Sequence, residues 1–372
     1  MEAERAGELL ERLRAGAAAY ACGGRLAALD PLQRHEICTR LVFDRLERKM
    51  RLVESLHREA GENWNVTFYL LYFRTLGDRK NQRAYLELAR RVPYKAVLRE
   101  RLASHAVEAM LLGASGLLEL YRHDDHTLDL RRAFEHLSAK YEIEPMRPDE
   151  WELSGIRPAN HPVLRLAQAA AFFGQDEFVM ARAMACRTEG DIRQLFCIEA
   201  PEYWRTHYVP GAAGDEQPKR LGAFKANIIG INLVAILQFA YGSYTDNESL
   251  RESALLLLEK LPAEENRYIF AWRDRGVQAA NAFETQALLQ LATEYCAPPV
   301  ETAASAAENV AGQAETSAAG VLRSLWSGSR RGSRAVSASG ASCTPRCEEC
   351  PLGRRILREA RALACPPKRR DL

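Results

Sequence analysis

The chain has 372 residues, with 47% hydrophobic and 27% charged side chains, which is the balance of an ordinary globular protein. This composition excludes a collagen-like, low-complexity or fully disordered chain, and the length allows one large or two medium domains. The charged segment from Met1 to Arg5 is followed by no apolar signal core, and nine cysteines without such a signal indicate thiols or metal ligands rather than disulfides. We therefore expect a cytoplasmic protein.

The net charge of +2 is unevenly distributed along the chain. Residues 343–372 carry eight Lys/Arg and four Asp/Glu, and residues 297–342 carry four Arg and three Glu, which leaves residues 1–296 slightly acidic. A slightly acidic body has no general electrostatic attraction for nucleic acid. Such an affinity would need a local basic face or the tail.

Cap and stop residues divide most of the chain into helices. Asn63 is placed to cap a helix that runs to Gly77, and Asn81 is placed to cap another that stops at Pro93. Few stretches alternate with a period of two residues, so strands should be scarce. The pattern predicts a mainly α protein, a multi-helix globular array of stacked helical hairpins.

Three further segments are predicted to be helical. Ala96–Leu120 is predicted as one long helix, in which Gly113 and Gly116 would let another helix approach closely. Pro201–Tyr208 is predicted as a short helix. Ile228–Tyr241 is too short and too polar for a bilayer span, so it is predicted to be a buried helix rather than a membrane segment.

Composition and proline content divide the chain into four parts. A proline-rich connector predicts a boundary between two helical subdomains, 1–144 and 145–296. Residues 297–342 consist mostly of small and polar residues and are predicted to be a disordered insertion. Residues 343–372 form a short, basic, Cys-rich tail.

Many ordered stretches carry a resemblance to a known family. They are Arg45–Lys49, Glu108–Gly113, Arg157–Pro162, Arg165–Gln168, Tyr203–Tyr208, Leu261–Asn266, Asn281–Leu288, Tyr295–Cys296 and Cys347–Gly353. On these stretches the chain resembles the bacterial domain of unknown function 2851 family. The resemblance implies no activity, because that family has none assigned.

The resemblance also shows two departures from the family pattern. Longer members begin with an extra segment whose acidic and His-containing motifs look like a nuclease-type αβ core, and residues 1–30 do not match it. We therefore expect that segment to be missing, so that a nuclease-like protein is a candidate partner. The insertion at 297–342 separates Cys296 from Cys347 and Cys350, which the family places close together.

The cysteines of the tail predict a metal site. Cys343, Cys347 and Cys350 are spaced so that their thiolates can grip one ion, and Cys296 or Cys365 could supply a fourth ligand. The family resemblance favours Cys296. The expected cofactor is one zinc ion; an iron–sulfur cluster is second, because the spacing fits no ferredoxin pattern. The alternative is a loose tail with exposed thiols.

A second candidate site lies at a proline-bounded helix start. Arg157, Asn160 and Arg165 could bind an anion such as phosphate at the helix N-terminus. The alternative is an ordinary cap in which Asn160 or His161 closes the helix and the arginines form ion pairs, and this alternative is preferred.

A third candidate combines aromatic and basic residues. Trp204, His207 and Tyr208, with Lys219 and Arg220 across a loop, have the side chains that stack on bases and hold phosphates. The alternative, again preferred, is a helix end that packs its aromatic residues on the core.

The segment His123-Asp124-Asp125-His126 contains metal-ligating residue types. Neighbouring positions on a loop seldom converge on one ion without distant partners, so a solvated turn is predicted. The isolated histidines are predicted to be surface or core polar positions on helices: His35, His57, His105 and His136.

Since no catalytic motif is present, the leading hypothesis is a non-catalytic helical module that binds a macromolecule, with nucleic acid as the candidate ligand and the tail as a metal-stabilised knuckle. One alternative is an enzyme with a site near Arg157, His207 and Lys219. A protein–protein scaffold is the other. The sequence leaves the oligomeric state open.

Overall fold

The computed structural model describes residues 20, 23–103, 105–121 and 124–295. The prediction of a mainly α protein is confirmed. Within the described residues there is no strand, only isolated antiparallel bridges at Glu199–Arg220, His207–Ala213 and Pro262–Asn281. The predicted insertion at 297–342 and the Cys-rich tail at 343–372 lie outside the described residues.

The α-helices follow one another along the chain with short connections. They are α1 (Gly23–Ala27), α2 (Pro31–Glu59), α3 (Trp64–Leu76), α4 (Asp78–Arg91), α5 (Tyr94–Glu100), α6 (Ala106–Ala114), α7 (Asp125–Tyr141), α8 (Pro162–Gln175), α9 (Val179–Ala185), α10 (Glu189–Phe196), α11 (Ala223–Ile229), α12 (Ala235–Tyr244), α13 (Glu248–Lys260), α14 (Arg267–Arg273) and α15 (Ala282–Gln290). Short 3₁₀ turns occupy Leu117–Leu120, Pro148–Glu150, Pro158–Asn160 and Glu202–Arg205.

The chain divides into two compact units by its internal contacts. Of the described residues, the first unit comprises 20, 23–42, 265–279 and 285–295, and the second comprises those within 43–264 and 280–284. The boundary predicted between residues 144 and 145 falls inside the second unit. All the candidate site residues described below belong to that second unit.

The core of the second unit is rich in aromatic side chains from α3 and α8. Tyr72 stacks on Phe172 with ring centroids 4.9 Å apart, and Phe73 stacks on Phe173 at 5.9 Å. All four side chains are buried. Since burying one such side chain contributes roughly 1.5–3 kcal/mol, this cluster fixes α3 against α8.

The predicted cap of α3 is confirmed, but the predicted cap of the following helix is wrong. Asn63 accepts hydrogen bonds from the backbone N–H groups of Asn65 and Val66. Asn81 instead lies inside α4, which begins at Asp78, and its amide side chain makes two hydrogen bonds to the backbone of Glu152. Asn81 therefore binds a loop that is distant in the sequence instead of capping a helix.

The prediction of one helix over Ala96–Leu120 is wrong. The chain leaves the helix after Glu100, turns, and starts α6 at Ala106; a 3₁₀ turn follows at Leu117–Leu120. Gly116 has φ of +71°, a left-handed conformation that ends the helical path. The turn between Glu100 and Ala106 gives α6 an N-terminus of its own, with His105 at the N-cap.

Gly113 confirms the predicted close approach of two helices. A Cβ atom placed there would lie 2.1 Å from Cγ of Phe134, so α6 and α7 can be this close only because Gly113 has no side chain. The contact brings the N-terminal ends of α6 and α7 within reach of each other.

The helix predicted at Pro201–Tyr208 is reduced to a single 3₁₀ turn, Glu202–Arg205. The chain then reverses, and the backbone N–H of Gly214 donates to the carbonyl of Thr206. The reversal replaces helical hydrogen bonds with loop contacts.

One apolar helical stretch, Ala223–Tyr244, is long enough to cross a membrane. Its most apolar window is 78% buried in the protein, as expected for the core helix of a soluble protein. A π-helical turn at Gly230–Val234 interrupts it.

Candidate functional site

A buried carboxylate lies one turn into α6. Glu108 is only 2% exposed, and His105 precedes it by one helical turn at the N-cap of the same helix. His105 has φ of +58°, a left-handed conformation that is costly for a residue with a side chain. Its imidazole does not cap the helix and instead reaches Glu108.

A second histidine reaches the same carboxylate from the start of α7. Asp124 caps α7 by accepting a hydrogen bond from the backbone N–H of Thr127, and the hydroxyl oxygen of Thr127 accepts one from the backbone N–H of Asp124. This capping box fixes the first turn of the helix, which carries His126.

The three side chains place one ligand atom each within a small volume. His105 Nδ1 lies 3.3 Å from Glu108 Oε2, and His126 Nε2 lies 3.3 Å from Glu108 Oε1. The ligand atoms of all three residues fall within 4.8 Å of one another. We call His105, Glu108 and His126 the His–Glu–His cluster.

A buried tryptophan also binds the carboxylate of Glu108. Trp204 is completely buried, and its indole Nε1 donates a hydrogen bond of 2.5 Å to Glu108 Oε1. A buried indole N–H needs such an acceptor, and the carboxylate gains a donor that sets its orientation.

The tyrosine next to that tryptophan holds one of the histidines. The ring of Tyr203 stacks between His126 and His207, at centroid distances of 4.0 and 4.1 Å. Its hydroxyl donates to Asp124 Oδ2 at 2.5 Å, and His207 Nδ1 lies 3.0 Å from the carbonyl of Tyr203. Tyr203 and Trp204, adjacent in sequence, therefore position His126 and Glu108.

The electrostatics of the cluster favour a positive charge beside the carboxylate. Burial alone would raise the pKa of Glu108, but the hydrogen bonds from His105, His126 and Trp204 outweigh it and lower the pKa. The hydrogen bond to Glu108 raises the pKa of His105. Glu108 is therefore an anion that favours either a protonated His105 or a metal cation beside it.

Asp124 is also strongly acidic. Burial opposes its ionisation, but the hydrogen bonds from Tyr203 and Thr127 lower the pKa of Asp124 to about 2. Burial and the hydrogen bond to Asp124 raise the pKa of Tyr203. The pair is a charged carboxylate and a neutral phenol. Their hydrogen bond holds the ring of Tyr203 in place against His126.

Two imidazoles and one carboxylate are the ligands of many catalytic zinc and iron(II) sites. Two ligand atoms bound about 2.0–2.1 Å from a tetrahedral ion stand about 3.3–3.4 Å apart. Each histidine nitrogen lies 3.3 Å from one oxygen of Glu108, His105 from Oε2 and His126 from Oε1, which is close to this value. The arrangement can therefore hold a divalent transition-metal ion.

Comparison with models of known families confirms the resemblance. The family model described as "Protein of unknown function (DUF2851)" matches residues 3–267. The chain belongs to this family. Comparisons with curated proteins and with solved structures gave no match.

In this DUF2851 protein, the residues of the predicted anion site form a cap and a buried network. His161 accepts a hydrogen bond from Val163 N–H at the start of α8. Arg165, which is buried, donates to Asn160 Oδ1 at 2.6 Å and to Gln168 Oε1 at 2.9 Å. Arg157 is exposed, and its side chain has no ion pair or hydrogen bond within the described residues.

The predicted aromatic and basic group of the DUF2851 protein is only partly assembled. Trp204 is too buried to stack on a base. Lys219 is buried, lies 4.5 Å from the ring centroid of Tyr208 and donates to a backbone carbonyl. Arg220 is exposed and forms an ion pair with Glu199 at 3.1 Å.

The solvated turn predicted for 123–126 is wrong for the three residues that the structure describes. Asp124 caps α7, Asp125 begins it, and His126 is part of the cluster; His123 lies outside the described residues. Sequence reasoning missed His105, Glu108 and His126 as a group. The available signals were an acidic residue in an apolar helix, Glu108, and the unusual density of ligand types at 123–126. The predicted ligands Cys296, Cys343, Cys347 and Cys350 lie outside the described residues.

Proposed function

We propose that the helical body of this DUF2851 protein binds one divalent transition-metal ion through His105, Glu108 and His126 and uses it as a catalytic centre. The observation that carries this proposal is the convergence of three ligand atoms, all within 4.8 Å of one another, on a carboxylate that is 2% exposed. Zinc is the first candidate for this ligand set and iron(II) the second.

A metal ion accounts for features that an ordinary ion pair does not require. An ionised carboxylate as buried as Glu108 is costly without a compensating positive charge. A surface ion pair could be formed by any nearby lysine or arginine, whereas here both partners are imidazoles. The left-handed backbone of His105 adds a conformational cost, and such strain concentrates at functional sites.

The cluster is suited to chemistry rather than to a purely structural role. Its three protein ligands leave a fourth position of a tetrahedral ion for water or substrate. The side chain of His105 is 52% exposed, so the cluster can be reached from solvent on that side. A metal ion in such a site lowers the pKa of its bound water and polarises a substrate oxygen, which is the chemistry of metal-assisted hydrolysis.

This proposal favours the enzyme alternative over the non-catalytic module. The enzyme site was expected near Arg157, His207 and Lys219, and His207 does lie against the cluster through the ring of Tyr203. Arg157 and Lys219 have no described contact with the cluster: Arg157 is exposed, and Lys219 donates to a backbone carbonyl. The metal-binding tail, the cytoplasmic location and the absence of a membrane partner stay predictions.

The test of an open metal site uses the full-length protein loaded with Co²⁺, whose visible spectrum reports its coordination. Azide added to this protein should change the visible bands, because an outside ligand can enter the fourth position. His126→Asn should remove the cobalt bands of the body, whereas His136→Asn, at an exposed position on the same helix, should keep them.

Two results would contradict the proposal in different ways. Visible bands that survive His126→Asn unchanged would show that the ion lies elsewhere. Bands that depend on His126 but do not respond to azide would show a closed, structural site, and the enzyme proposal would be withdrawn. Loading with Zn²⁺ and Fe²⁺ in competition identifies the preferred ion.

A further inference from the structure

A group of exposed cations lies where the N-terminal end of α4 meets the connector that precedes α8. Arg79, Lys80 and Arg83 project from the first two turns of α4, and Arg157 projects from the connector. Residues three and four positions apart share one side of a helix, so the three α4 residues form one stripe. We call these four residues the basic face.

Specific contacts hold the connector against the helix. Lys80 Nζ donates to the carbonyl of Ser154 at 2.9 Å. Asn81 donates to the carbonyl of Glu152 and accepts from its N–H, both at 2.9 Å. Arg157 follows Ser154 by three residues, so it lies on the same connector that these contacts hold against α4.

The arginines of the basic face differ from the other arginines of α4, because they have no ionic partner among the residues that the structure describes. Arg90 is paired with Glu59 at 2.7 Å, and Arg91 is paired with Glu87 at 3.1 Å. Within the described part of the chain, the side chains of Arg79, Arg83 and Arg157 form no ion pair or hydrogen bond. The arginines near the C-terminal end of α4 are therefore in ion pairs, whereas the two arginines near its N-terminal end are not paired with any described residue.

The acidic residues on α4 and beside Ser154 on the connector are already engaged, and Glu87, one turn after Arg83, pairs with Arg90 and Arg91. Asp78, which is exposed, forms an ion pair with the buried Lys225. Glu152 accepts a hydrogen bond from Ser154 N–H at 2.9 Å. The buried Arg165 also interacts electrostatically with Asp78, so this one carboxylate faces two buried cations as well as the exposed ones.

The basic face is therefore a surface of four exposed cations, of which the three arginines have no ionic partner within the described residues. Asp78, at the first position of α4, is the exposed carboxylate on the same turn as Arg79 and Lys80.

We propose that the basic face binds the phosphate backbone of a nucleic acid duplex. Charge complementarity selects a polyanion, and a stripe along a helix suits successive phosphates. The Tyr and Trp side chains of α4 and of the connector, Tyr85 and Trp151, are buried and pack on each other. Without exposed aromatic rings the face cannot stack unpaired bases, so a duplex rather than a single strand is the matching ligand. The proposal is independent of the metal site.

The test measures binding of the full-length protein to a labelled DNA duplex of about 24 base pairs over a range of salt concentrations. Each phosphate contact contributes a slope of about −0.9 to the plot of log affinity against log salt. The triple variant Arg79→Ala/Arg83→Ala/Arg157→Ala should therefore lower the slope by about 2 to 3 and weaken binding more than tenfold at low salt.

A matched triple variant controls for the loss of three positive charges. Arg132→Ala/Arg182→Ala/Arg193→Ala removes three exposed arginines that are each paired with a nearby carboxylate. It should leave the slope and the affinity close to those of the unchanged protein. Circular dichroism confirms that both variants keep their helices.

Three outcomes would overturn the proposal. The unchanged protein could fail to bind the duplex, or the two triple variants could bind it equally well, which would assign the affinity to the tail. Tighter binding to a single strand of the same length, or to vesicles of anionic phospholipid, with the same dependence on the basic face would assign that face to another ligand.

Discussion

The indole of Trp204 donates a hydrogen bond to Glu108 across 96 positions of the sequence, and at 2.5 Å it is the shortest contact of that carboxylate. The bond is made to Oε1, which also lies 3.3 Å from His126 Nε2, while Oε2 lies 3.3 Å from His105 Nδ1. The orientation of Glu108 is therefore set before any ion arrives, which lowers the cost of assembling the site.

The first prediction concerns that hydrogen bond. Trp204→Phe keeps most of the buried volume but removes the N–H donor, so we expect metal affinity to fall about 10- to 100-fold. Trp272→Phe is the matched control, because Trp272 is equally buried and donates to the carbonyl of Leu288 at 3.1 Å. It should lower thermal stability without changing metal affinity. Equal metal affinity in the two variants would remove Trp204 from the site.

The second prediction concerns the pH dependence of metal binding. The pKa of His105 is raised above its usual value of 6.5 by Glu108, so the proton on its imidazole competes with the ion at pH values above 6.5 as well. We expect the gain in melting temperature caused by zinc to grow as pH rises through the raised pKa. Without metal the sign reverses, because the His105–Glu108 pair stabilises the fold below pH 6.5 and this contribution is lost as pH rises.

His105→Gln tests this assignment, since glutamine does not titrate. The metal-free variant should lose the part of its pH dependence that His105 supplies, and its zinc affinity should be lower at every pH. A melting curve of the metal-free variant with the same pH dependence as the unchanged protein would rule out His105 as the titrating group.

The third prediction concerns acid unfolding. The pKa of Asp124 is lowered from 3.8 to about 2, so its contribution to stability is complete above pH 3.8 and is lost as pH falls towards 2. Asp124→Asn should therefore flatten the loss of stability over this range. Asp215→Asn, in an exposed loop, should leave the acid limb unchanged. Denaturant titrations at several acidic pH values measure both effects.

The fourth prediction concerns the approach of α6 to α7. Gly113→Ala would place a Cβ atom 2.1 Å from the ring of Phe134, so one helix must move. We expect a loss of about 1–3 kcal/mol in the free energy of unfolding, together with weaker metal binding, because the two helices carry different ligands. In Gly190→Ala the nearest atom would be 3.5 Å away, so this variant should keep its stability. A stable Gly113→Ala protein with unchanged metal affinity would show that the helix spacing is not essential.

Local signals in the sequence were sufficient for much of the fold. Asn63 caps α3 as predicted, because a side-chain oxygen three residues before a helical backbone N–H is a local arrangement. Gly113 marks a close approach, because only the absence of a side chain permits it. Both conclusions need no knowledge of distant residues.

The site could not be predicted, because it depends on contacts that are distant in the sequence. Glu108 looked like one acidic position in an apolar helix, and its partners His126 and Trp204 follow 18 and 96 residues later. His105 was assigned to the middle of a helix that in fact ends at Glu100. The apolar periodicity continues across that break, so the sequence concealed both the turn and the histidine at the new helix start.

The most direct measurement of the central claim is the number of zinc ions bound per full-length chain after equilibration and desalting. The tail variant Cys347→Ser/Cys350→Ser removes the predicted tail site, and it should still hold about one ion in the body. Adding Glu108→Gln and His126→Asn to that variant should reduce the count to zero, with circular dichroism still showing a helical protein. A tail variant that binds no zinc, or an ion that remains after Glu108 and His126 are replaced, would contradict the assignment of the metal to the His–Glu–His cluster.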